Sequence, residues 1–105
     1  MTDKLTRWAS LARSRAVTML APAGARVTLT LPAHPRASHV LDVDGGRGIG
    51  QFIVWPDGAI EATILDIVTE QPVYFDATPA TDLSELDARF LVFLDACVQA
   101  ERSST

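Results

Sequence analysis

Several groups of residues have types and spacings that chemistry uses. Gly45-Gly46-Arg47-Gly48-Ile49-Gly50 has the composition of a loop that cradles phosphate. Gln51 occupies the place of the last glycine of a dinucleotide fingerprint, and no Lys-Ser/Thr follows as in a P-loop. The run also joins strand to strand, so no helix N-terminus is at hand for an anion. A flexible hairpin loop is the expectation. His34 and His39, with Asp42 and Asp44 beyond them, are metal-ligand types. His39 and Asp42 differ in strand parity, and His34 sits in a proline-flanked loop, whereas zinc needs three or four convergent ligands. Exposed loop and strand histidines, and no metal, are expected.

Asp57, Glu61 and Asp66 are the carboxylates nearest to an acid–base arrangement. Glu61 and Asp66 differ in parity, and Asp57 lies in a turn, where its side chain is wanted by the backbone. Nothing here sets up a buried pair with split pKa values. Cys97, the only cysteine, falls on the apolar stripe of a helix and reads as a small buried hydrophobe. Spacing assembles no Ser-His-acid group. Neither catalysis nor a cofactor is expected.

The elements that must position these residues are well marked. Leu5, Trp8, Ala12, Ala16 and either Met19 or Leu20 follow helical steps from residue 3 to about 20. Thr2 or Asp3 can cap that helix, and Pro22 and Gly24 stop it. Arg26–Leu31 alternates as a strand with Val27, Leu29 and Leu31 inward. A second strand spans Ser38 to Asp44. The third and fourth, Gly50–Trp55 and Ala59–Asp66, flank Pro56-Asp57-Gly58, a strong hairpin signal. Both carry apolar residues on both parities, so each is either covered on both faces or presents one face to a partner. Val73-Tyr74-Phe75 either adds a short strand or covers the core. Asp82 and Glu85 open the last helix in a capping-box-like arrangement. Its stripe is Leu83, Leu86, Phe90, Phe93, Leu94, Cys97 and Val98, and residues 101–105 should fray, with a disordered tail from about 102. The fold expected is α+β: a two-layer sandwich of N-terminal helix, four-stranded antiparallel β-meander and C-terminal helix, in a single domain over residues 1–105.

Charge narrows the function classes. The 105 residues carry a formal net charge of −4. Residues 1–56 hold seven Lys/Arg against three Asp/Glu, and residues 57–105 hold two against ten. Nucleic-acid binders show a clustered basic surface, so that class is disfavoured. No apolar run reaches the roughly 20 residues of a membrane span. The stretch after Arg13-Ser14-Arg15 is too short, broken by Thr18 and too far from Met1 for a secretory signal, so a cytoplasmic location is expected. The acidic half either steers a basic protein partner or serves only solubility.

Ile53-Val54-Trp55-Pro56-Asp57-Gly58, Glu61, Leu65-Asp66-Ile67-Val68-Thr69-Glu70-Gln71-Pro72-Val73, an acidic linker and the Leu/Phe-rich closing helix together resemble small bacterial immunity proteins of the TriTu type. The likeness covers about residues 48–98. It implies a non-enzyme that binds and neutralises a cognate toxin in the producing cell; the acidic charge fits a basic toxin, and a monomer or weak homodimer is expected. Charge and expected exposure nominate Asp57, Glu61, Glu70, Asp76, Asp82 and Glu85 as contacts. Trp55, at a strand end, either packs in the core or serves as an interface anchor. Two other classes fit the same composition: a small acidic secretion chaperone gripping an effector segment, and a small ligand-binding domain using the sheet.

Overall fold

The structure, a computed structural model, describes residues 2–102. Helix α1 (Thr2–Leu20) leads through a 3-10 turn (Ala21–Ala23) to strands β1 (Arg26–Thr30), β2 (His39–Asp44), β3 (Gly48–Val54), β4 (Ile60–Asp66) and β5 (Pro72–Asp76), and the chain closes with α2 (Leu83–Arg102). The five strands pair in chain order, each antiparallel to the next. The architecture is thus the expected α+β sandwich with one strand more. Val73-Tyr74-Phe75 lies in the fifth strand, although β4 and β5 shift register between Ile64 and Leu65.

Burial in α1 falls on Leu5, Trp8, Ala9, Ala12, Ala16 and Leu20, the spacing of one helix face. Leu20 completes the stripe and Met19 stays outside. Gly24, at φ 72°, donates to the carbonyl of Ala21 and ends the helical path. Both helices pack on the same side of the sheet, α1 over β1 and β2 and α2 over β3, β4 and β5. They reach one core in which Trp8, Phe52, Phe90 and Phe93 meet ring to ring; Phe52 and Phe90 lie edge to face at 5.1 Å. Gly50 makes this approach possible, because a Cβ there would sit 3.0 Å from Phe93 Cζ and 3.2 Å from Cys97 Sγ. The helices are tied together at the rim of the core: Asp87 accepts from Trp8 Nε1 at 3.1 Å and from Arg15 at 3.0 Å.

Four local expectations need correction. Leu31 lies beyond the end of β1 and is exposed, because the chain has already turned toward Pro32. His39 is an inward residue, 1% exposed, since β2 parity puts it beside Leu41 and Val43. Its Nε2 lies 2.8 Å from the Thr6 hydroxyl, and burial holds its pKa below the ordinary histidine value. The glycine loop between β2 and β3 is not free: the amides of Gly46, Arg47 and Gly48 all donate to the Glu101 carboxylate, at 2.9, 3.1 and 2.9 Å. The loop therefore does hold an anion, and the anion is this chain's own side chain. Glu101, expected to fray, is accordingly helical, and α2 continues to Arg102. Residues 103–105, the rest of the expected tail, lie outside the described residues.

Candidate functional site

Alternation sends every second strand residue away from the helices. Register places these outward residues in three rows across the sheet. The first row is Thr30, Val40, Ile53 and Glu61, and the second is Thr28, Asp42, Gln51, Thr63 and Phe75. The third is Arg26, Asp44, Ile49, Leu65 and Pro72. Among the described residues, no helix covers this side. Phe75 is 66% exposed, Ile49 50% and Leu65 42%, values normal for polar residues and high for large apolar ones on a sheet. Asp42, Asp44 and Glu61 border them, and Gln51 donates to Asp42 at 3.0 Å.

The seven residues nominated from sequence do not form one cluster. Glu61 alone lies on the open face. Trp55, Asp57 and Asp82 gather at the hairpin end. There Trp55 N donates to Ala59 O and Gly58 N to Trp55 O, closing a three-residue loop around Pro56-Asp57-Gly58. Gly58 takes the positive φ of 93° that this loop requires. Its carbonyl also accepts from Ala80 N, docking the segment before α2. The Asp57 carboxylate accepts from Ala59 N at 3.0 Å. Trp55 follows β3 rather than ending it, and its ring is half-buried. A cleft of about 50 Å³ opens here between Asp57, Pro56, Leu5 and Asp82, far below the roughly 300 Å³ at which small-molecule sites begin.

Asp82 is the N-cap of α2, its carboxylate accepting from Glu85 N at 2.8 Å. Only half of a capping box forms, because the Glu85 carboxylate instead accepts from the Thr81 hydroxyl at 2.9 Å. Asp76 and Glu85 converge on Arg89, at 3.2 and 3.7 Å. Burial raises the Asp76 pKa, but bonds from Thr78 and the Arg89 guanidinium outweigh it and hold the carboxyl below the usual range. Glu70 stands at the opposite end of the sheet, exposed in the β4–β5 turn at φ 58°. The neighbouring Asp66 receives Thr69 N and Val68 N at 3.0 and 2.8 Å, and these bonds lower its pKa.

Sequence reasoning thus missed Asp42, Asp44, Ile49, Leu65 and Phe75 as a surface. The signal was present in the double apolar parity of β3 and β4. Cys97 lies on the buried face of α2, its thiol pushed up to about 12 by desolvation first and by Glu101 second, so it stays protonated at neutral pH. Among the described residues, no group of three or more His, Cys, Asp or Glu could hold a metal ion, and no helix is long and apolar enough to cross a membrane.

An α+β sandwich built on a five-stranded meander, with both helices on one side, defines the class. The family model described as immunity protein TriTu matches residues 3–96. The chain belongs to the TriTu immunity protein family. That match takes in α1 and β1, which lie outside the likeness read over residues 48–98. Among curated proteins no match to the chain is found.

Proposed function

We propose that this chain is a cytoplasmic, non-catalytic antitoxin that binds a cognate bacterial toxin and neutralises it by laying an acidic surface over a basic active site. Membership of an immunity family along nearly the whole chain carries the reading. The charge distribution supports the mechanism: a surplus of eight acidic side chains over residues 57–105 gives a field that steers a cationic partner. Of the contacts proposed, Asp57, Glu61 and Glu70 are exposed and reach a partner at little cost to the fold. Asp76, Asp82 and Glu85 already hold Arg89 and the start of α2, so they act as fixed charge. Trp55 would anchor the hairpin end.

The test is retention of partners on the tagged protein, followed by an activity assay of whatever is retained. A single basic toxin domain held stoichiometrically and inactivated supports the reading. An empty column, or a disordered effector tail in its place, sinks it. With the toxin in hand, Glu61→Lys should slow association about tenfold and flatten its salt dependence. Unchanged binding on reversing each acidic position would remove the electrostatic mechanism.

A further inference from the structure

Resting on the immunity reading, we infer that the toxin docks on the open face of the sheet, with Phe75, Leu65 and Ile49 at the centre of the contact and Asp42, Asp44 and Glu61 at its border. Recognition surfaces combine apolar anchors with a polar border, and here the apolar side chains Ile49, Leu65 and Phe75 gather toward the β4–β5 side of the face, with Asp42, Gln51 and Thr63 beside them in the middle row. Five strands and three rows span on the order of 500 Å². That is more than half of the roughly 800 Å² that one partner contributes to a stable complex. Ile67 and Val68, both exposed, continue the apolar surface into the β4–β5 turn.

Charge selects the occupant. Within the three rows Arg26, at one corner, is the only cation against Asp42, Asp44 and Glu61. A second copy docked symmetrically would press two net-acidic faces together, and like charges brought close are repelled. The exposed side of α1 carries Lys4, Arg7, Arg13 and Arg15 against Asp3, the wrong sign for a cationic partner. The occupant that fits is a protein surface with lysines and arginines around an apolar patch. A toxin domain that grips nucleic acid would present such a surface.

The probe is the purified toxin domain that the tagged protein retains, titrated with the full-length protein and with Phe75→Ala, Leu65→Ala and an Arg7→Glu/Arg13→Glu control. Thermal melts confirm that each variant folds, which the exposure of all four positions favours. The two apolar truncations should each weaken binding about 30-fold or more, the loss typical of an interface anchor. The control should leave it within threefold. Methyl cross-saturation from the toxin should reach Ile49, Ile53 and Leu65. Tight binding by every variant, with saturation on the α1 or hairpin methyls, overturns the docking face and leaves the immunity reading standing. Failure of the unaltered chain to bind the toxin or protect against it overturns both. Self-association of the chain that Phe75→Ala abolishes would show a second copy on this face, and overturns the proposal too.

Discussion

The two faces of one sheet divide the labour of this protein. On the helix side, Leu41, Val43, Phe52, Val54, Ala62 and Ile64 are buried to within a few per cent, and Phe52 touches Trp8, Phe90 and Phe93. On the other side, the residues one position along the same strands are half-buried or exposed and mix large apolar groups with carboxylates. Parity decides which side chains specify the fold and which are free for a partner. The largest test of that division pairs Phe52 with Phe75. Phe52→Ala should cost about 3–5 kcal/mol, since the surrounding rings cannot collapse into the cavity. Phe75→Ala should change stability by less than about 0.5 kcal/mol. Denaturant titration measures both, and equal losses would break the distinction.

The helix layer is held at its far end by a polar contact, the Glu101 carboxylate in the amides of Gly46, Arg47 and Gly48. A carboxylate in the last turn of a helix opposes the helix dipole, and the loop amides offset that repulsion. Glu101→Ala should cost about 2 kcal/mol, because bonds to charged groups contribute about 1.5–3 kcal/mol. In a protein of this size that lowers Tm by roughly 10 °C. A shift below about 2 °C would mean that water replaces the clamp at no cost.

Much of this was legible beforehand. The stripes of α1 and α2 and the Pro56-Asp57-Gly58 turn are local patterns, and local patterns survive folding. The fifth strand was ambiguous because Val73-Tyr74-Phe75 is short and its register is broken beside Leu65. The Glu101 clamp was invisible, since it joins residues more than 50 positions apart and neither end has a signature. His39 was misread because a strand histidine is expected to be exposed by its type, while strand parity alone puts it beside Leu41. Acidic residues chosen by charge include Asp76, Asp82 and Glu85, which the fold uses itself, whereas the open face is defined by pairing across four strand interfaces.

His39 sharpens the contrast between faces, being the buried polar residue on the covered side, while Asp42 on the same strand faces out. The lowered pKa means that the unfolded chain takes up a proton near the ordinary value of about 6.5 while the native state resists it. The stabilisation is complete above that pH and is lost as pH falls through the lowered native value. Tm should therefore drop between pH 7 and pH 5, and His39→Gln should flatten that slope. A variant with an unchanged slope would move the effect to other groups.

The smallest effect concerns Glu70, at the end where the open face meets the β4–β5 turn. Its φ of 58° places a side chain with a Cβ in the left-handed region, which costs about 1 kcal/mol for most residues and less for Asn or Gly. Glu70→Asn should raise stability by about 0.5–1 kcal/mol, read as a Tm increase of a few degrees. Natural sequences keep such strain where a side chain has another task. If Glu70 meets the toxin, the same substitution weakens binding while it stabilises the free protein, and the two measurements move in opposite directions. If binding holds while Tm rises, Glu70 is only a strained turn residue, and the contact surface stops short of it.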